Sequence, residues 1–219
     1  MKVGTDGVLL GAWANINPSQ KRFLDIGAGT GLIALMVAQR SEEWGGSVVG
    51  VEIDPQSFMD ARENVASSPW RERVTIENCA IQEFAPDVTF DHILSNPPYF
   101  VDSLLSPNEA RTNARHTTTL TFEALAHSAS RLLSREGVVS LILPYDAVAD
   151  MTLAAVRAGL FLVRRMDVRS KPSGAPLRSL LEYSPRPAAL QREELTIHSV
   201  GGDFSPEYRA LTRDFYLKF

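Results

Sequence analysis

Cysteine is almost missing from this chain: Cys79 stands alone among 219 residues, so no internal disulfide can form. A fold that manages without cross-links suits a reducing compartment, and a cytoplasmic location is expected. Also missing is any run of eighteen apolar residues, which excludes a membrane-spanning helix. The opening MKVGTDGVLLGAWANINP has one lysine, is interrupted by Asp6 and lacks a small-residue cleavage site, so it does not read as a secretion signal. Internal repeats and low-complexity tracts are lacking too. What remains is an ordinary globular composition, 44% hydrophobic and 22% charged, long enough for one sizeable core.

Charge is spread unevenly. The first 99 residues carry 7 Lys+Arg against 13 Asp+Glu, and the remainder 15 against 13. Between positions 157 and 192 the basic residues Arg157, Arg164, Arg165, Arg169, Lys171, Arg178, Arg186 and Arg192 meet only Asp167 and Glu182. Gathered on one face they would steer a polyanion; scattered, they are a solvated surface.

The apolar run FLDIGAG (23–29) breaks into glycines, and LIALMVAQR (32–40) then has helical spacing, the opening of a βαβ unit. Further strands are expected at SVVGVEID (47–54), RVTIENCAI (73–81), FDHILSN (90–96) and GVVSLILP (137–144), the last apolar enough to be covered on both faces. Helices are expected after Pro55, over 120–135 and over 146–157, the last ended by Gly159. Trp13 reads as core. FLVRRMDVRS and SLLEYSP are sixth and seventh strands around the exposed loop KPSGAPL, and the tail offers an edge strand at LTIHSV and a helical turn at PEYRALTRDFY. The pattern predicts an α/β fold with a doubly wound, largely parallel sheet.

DIGAGTG sets glycines at 27, 29 and 31 where a strand becomes a helix, letting backbone N–H groups approach a ligand. A nicotinamide fingerprint would need glycine at position 32, which is Leu32, and a pyrophosphate would avoid the nearby Asp25. A ligand bearing an ammonium or a sulfonium would be attracted instead, and S-adenosyl-L-methionine carries both and no phosphate. Glu52, at the end of the second strand, is placed to accept ribose hydroxyls, with Asp54 better suited to capping the helix that follows. Cys79, Ala80 and Ile81 fall where an adenine could be sandwiched, Cys79 as a small filler rather than a nucleophile.

In DHILSNPPYF the prolines stop the fourth strand at Asn96 and stiffen what comes next. The Asn96 side-chain oxygen and the Pro97 carbonyl can each accept one N–H of an exocyclic amine, drawing its lone pair out of conjugation, while Tyr99 offers a stacking face. Arg111, Arg115 and His116 follow soon after and could grip phosphates or a neighbouring base. Phe100 either flanks the pocket or anchors its loop.

DIGAGTG and NPPYF together resemble the class I S-adenosylmethionine-dependent methyltransferases. More narrowly, KVGTDGVLLGAWA (2–14), NPPYF, RTNARHTTTL (111–120) and LTRDFYLKF (211–219) resemble the bacterial enzymes that methylate N6 of adenine 37, beside the anticodon of valine tRNA. The resemblance spans the chain and implies one methyltransferase domain over residues 1–219, with a Rossmann-like, mostly parallel seven-stranded sheet. It implies S-adenosyl-L-methionine as cofactor, the tRNA anticodon loop as partner, no membrane association and a monomer. Cofactor contacts would come from Thr5, Asp25, Gly27, Gly29, Glu52, Asn78, Ala80 and Asn96, with Asp6 beside Thr5 over the methionine end. Asn96, Pro97 and Tyr99 would act on the target amine, and Pro98, Phe100, Arg111, Arg115 and His116 would hold the substrate. Relatives of this kind carry an aromatic and basic stretch before the segment matching MKVGTDG. Because the two acceptors select an amine rather than the ring bearing it, guanine-N2 methylation of ribosomal RNA and glutamine-N5 methylation of a protein remain alternatives, as does a nonenzymatic cofactor- or RNA-binding scaffold.

Overall fold

The computed structural model describes residues 4–98 and 120–216. A strand covered on both faces is buried at odd and even positions alike. That condition is met by β1 (Arg22–Ile26), β2 (Ser47–Val51), β4 (Phe90–Ser95) and the second half of β5 (Leu133–Pro144), which form the middle of the sheet or lie beside it. With β3 (Val74–Glu77), β6 (Phe161–Arg169), β7 (Pro176–Ser184) and β8 (Gln191–Thr196) they give one sheet in the order β3-β2-β1-β4-β5-β7-β6-β8. Only β7 runs against the rest: β1 to β5 pair in parallel, β7 is antiparallel to β5 and β6, and β8 is parallel to β6.

The seven strands expected from the sequence are thus joined by an eighth from the tail, starting at Gln191 rather than Leu195. Its polar residues suit an edge, where Arg164 pairs with Glu193 at 2.7 Å and Arg169 with Glu194 at 3.1 Å.

Six α-helices flank the sheet among the described residues: α1 (Thr5–Trp13), α2 (Leu32–Arg40), α3 (Pro55–Ala66), α4 (Phe122–Leu132), α5 (Val148–Arg157) and α6 (Pro206–Thr212). Alternate strand residues feed two cores. Leu24, Ile26, Ile93, Leu141 and Leu181 pack with Leu125 and Ala129 of α4 and Met151 and Ala155 of α5. Phe23, Leu94, Ile142 and Leu180 pack with Leu10 and Trp13 of α1, Ile33 and Val37 of α2 and Ala61 of α3. Trp13 is core, as expected, and is 3% exposed.

The helix expected over 120–135 stops at Leu132, because Leu133 turns extended (φ −79°, ψ 141°) and already pairs with Phe90. The register then jumps, with His92 opposite Val138, so the polar residues 134–137 form a bulge within a longer strand rather than a loop before it.

From β1 the chain builds outward to β2 and β3, then returns to lay β4 on the other side of β1. The carboxyl ends of β1 and β4 therefore flank the reversal of strand order, where open α/β sheets collect their ligands.

Candidate active site

The turn after β1 is shaped by three glycines in left-handed conformation, Gly27 (φ 71°), Gly29 (φ 56°) and Gly31 (φ 81°), a region costly for any residue with a Cβ. The Gly27 and Ala28 N–H groups donate to the Val51 carbonyl at 2.9 and 3.1 Å, which ties the turn to the end of β2. Gly27 itself faces open space: a Cβ there would meet nothing within 4 Å.

Glu52 is buried beside this turn. One carboxylate oxygen accepts the Gly29 N–H at 2.7 Å and the other the Asp54 N–H at 2.8 Å, leaving lone pairs on both for further donors. Asp54 is the cap expected of it, accepting the Ser57 N–H at 2.7 Å ahead of Pro55 in the first turn of α3, and this bond holds its carboxyl below the usual carboxylate range. The Asn78 amide donates to the Glu52 and Ile53 carbonyls at 2.7 and 3.2 Å. Its own carbonyl oxygen takes no part in either bond. Cys79 and Ala80 are half-buried next to buried Ile81, and burial with the charges of Glu77 and Glu83 pushes the Cys79 thiol up, against a nucleophilic role.

Asp25 lies beneath the turn rather than on its surface. It is wholly buried, its Oδ2 accepting the Ala34 N–H of α2 at 3.1 Å, while Oδ1 has no hydrogen-bond partner among the described residues. Burial pushes its carboxyl up to about 7; the Ala34 N–H opposes that rise and the Glu52 charge adds to it. The site thus offers an open glycine cradle, a carboxylate with spare lone pairs and an orphaned acidic oxygen. Such a set of acceptors fits a molecule with ribose hydroxyls and a cationic amino-acid end, as S-adenosyl-L-methionine has, and among the described residues it includes no basic group for a pyrophosphate.

On the neighbouring strand, β4 delivers Asn96 half-buried, Pro97 buried and Pro98 exposed. Ile26 and Ser95 are in register, so Asn96 follows directly on the strand beside the glycine turn. The Ser95 hydroxyl, wholly buried, donates to the Ile26 carbonyl at 2.7 Å; the sequence drew no attention to it. Thr5 starts α1 on the surface, and Asp6 accepts from Arg178 of β7 at 2.8 Å. Tyr99, Phe100, Arg111, Arg115 and His116 lie outside the described residues.

The basic excess of 157–192 does not form a free positive face. Carboxylates from other segments consume most of it: Arg164 with Glu193, Arg169 with Glu194, Arg178 with Asp6, Arg186 with Glu136 and Arg157 with Glu123, while Arg165 takes Asp167 within its own strand. Arg164 also lies over the Trp13 ring, 4.1 Å from its centroid. These partners are far apart in sequence, so only a view of Glu193 and Trp13 as neighbours would have revealed them.

Comparison with known proteins agrees with this geometry. A family model described as "Methyltransferase small domain" matches residues 7–156. A protein of Phocaeicola vulgatus named tRNA1(Val) (adenine(37)-N6)-methyltransferase is 47% identical over 217 residues, covering 99% of this chain and 91% of that one. A protein of the same name from Trichodesmium erythraeum is 43% identical over 221 residues, covering 100% and 92%. Among solved structures, an Agrobacterium tumefaciens protein described as a predicted O-methyltransferase superposes with a TM-score of 0.75 at 23% identity, over 95% of this chain and 96% of that one, a likeness of fold. With an acidic glycine turn and an Asn-Pro-Pro turn side by side at the sheet's reversal, and near-complete coverage by its relatives, the chain belongs to the methyltransferase small domain family and, within it, to the tRNA1(Val) (adenine(37)-N6)-methyltransferases.

Proposed function

We propose that this chain, acting as a single methyltransferase domain, transfers a methyl group from S-adenosyl-L-methionine to the N6 amine of adenine 37 in the anticodon loop of valine tRNA. The observation that carries the reading is the register of β1 and β4, which sets Asn96 next to the turn of Gly27 and Gly29. Family membership over nearly the full chain supports the choice of substrate.

When bound, the cofactor supplies an electrophilic methyl on a sulfonium. Gly27, Gly29 and the spare lone pairs of Glu52 hold it, with Asn78 and Ala80 at its adenine and Asp25 acting through space from beneath the turn. The Asn96 side-chain oxygen accepts one N–H of the target amine and the Pro97 carbonyl the other, so the nitrogen lone pair points out of the ring plane. Pro97 and Pro98 fix both acceptors with little backbone freedom left to lose. Tyr99 supplies the stacking face for the base, and Phe100, Arg111, Arg115 and His116 hold its surroundings. An unpaired loop base is reached at low unstacking cost. The amine attacks while neutral and loses its proton after methyl transfer, so no strong base is needed beforehand.

Incubation with labelled cofactor and separated tRNA, ribosomal RNA and protein fractions, followed by mass spectrometry of the labelled atom, tests this reading. Label on N6 of adenine in valine tRNA is expected; label on guanine N2 or on glutamine instead overturns it. Asn96→Ala is expected to lower turnover by about 10² to 10³, the cost of one preorganised polar contact to the reacting centre, while leaving the dissociation constant of S-adenosylhomocysteine little changed.

A further inference from the structure

We infer that Ser95 is a positioning residue for methyl transfer, its hydroxyl fastening the turn that carries Asn96 to the turn that cradles the cofactor. The inference rests on the reading of Asn96 given above. Ser95 Oγ donates to the Ile26 carbonyl at 2.7 Å with both residues essentially removed from solvent. Those two residues are the last of their strands: Gly27 follows one and Asn96 the other.

Backbone chemistry explains why a side chain is needed at this place. Pro97 and Pro98 have no N–H, so past Asn96 the ladder between β4 and β1 has no donor left on the β4 side. On the β1 side the Gly27 and Ala28 N–H groups turn the other way, to Val51 of β2. The hydroxyl adds a bond between β4 and β1 at the point where both strands end and the two turns begin. A buried hydrogen bond one residue from each functional turn restrains their relative movement at the point where it matters. Reacting atoms must sit about 3 to 3.5 Å apart and aligned, and a misplacement near 1 Å costs on the order of 10² in rate.

The residue is wholly buried, and alanine would nearly keep the volume while losing the bond.

The test compares Ser95→Ala and the nearly isosteric Ser95→Cys, a weak donor, with the wild type. Ser95→Ala is expected to lower kcat about tenfold or more with KM for tRNA and binding of S-adenosylhomocysteine changed less than about twofold, and Ser95→Cys to fall between. In the cofactor-free protein, hydrogen exchange at the amides of residues 27–29 and 96 should quicken in Ser95→Ala while the centres of β1 and β4 stay protected. Exchange does not depend on the substrate, so it judges the fastening even if the tRNA assignment fails. Unchanged exchange at these amides overturns the inference. So does wild-type kcat in Ser95→Ala, or a loss of kcat that only tracks a lowered melting temperature and weakened cofactor binding.

Discussion

A carboxyl group sealed beneath the cofactor turn makes Asp25 the residue whose protonation matters most near neutral pH. Its folded value is raised to about 7 from 3.8, chiefly by burial, so between these two values the folded chain holds a proton that the unfolded chain has lost. By linkage, this group's contribution to stability is fully present below about pH 4 and is lost as pH rises toward 7. Binding has the opposite sign. A cationic amino group over the turn favours the ionised acid, so S-adenosylhomocysteine should bind more tightly as pH rises from 6 to 8. Asp25→Asn keeps an acceptor for the Ala34 N–H but carries no charge. Calorimetry should show its affinity severalfold weaker than wild type at pH 8 and nearly flat across that range; a wild-type curve that is itself flat removes Asp25 from cofactor recognition.

Among the elements, β2 is the one that props the glycine turn. Its Gly50 lies in register with Asp25, and a Cβ there would come within 2.7 Å of Ile76 Cδ1 and 3.0 Å of the Ala28 side chain. The Ile76 methyl can swing aside, whereas Ala28 belongs to the turn and can move only by moving the turn. Gly50→Ala is therefore expected to cost about 1 to 3 kcal/mol of stability through overpacking and to weaken cofactor binding as well, measured by denaturant unfolding and titration. Elements with local signals were legible in the sequence: α3 from Asp54 and Pro55, and the glycine turn from DIGAGTG. The boundary between α4 and β5 was not. The sequence carries the helix through residue 135 and opens the strand at 137, and only the pairing of Leu133 with Phe90 shows that the strand has already begun. Ser95 was equally hidden, because nothing local marks its partner Ile26, 69 positions earlier, as a neighbour.

For the whole molecule, the distribution of paired and unpaired arginines governs how RNA is held. The composition suggested a basic grip, but its main members are neutralised by carboxylates that the sequence could not place beside them. Lys171 is different: it is exposed, carries no ion pair among the described residues and sits in the loop between β6 and β7. Pro144 pairs with Arg178, so that loop lies at the same end of the sheet as Asn96. Raising salt should weaken tRNA binding log-linearly, and Lys171→Ala should reduce the slope by about 1 if the lysine meets a phosphate. Arg164→Ala should instead leave the slope unaltered and lower the melting temperature, because its guanidinium braces Trp13 and Glu193. A normal slope in the lysine variant would take the loop out of the RNA contact. At its far margin the sheet finishes in β8, whose Gln-Arg-Glu-Glu stretch shields the greasier β6 from the outside. Stray strands therefore meet a fringe of charged side chains where they could otherwise zip on, which guards the folded protein against edge-to-edge accretion.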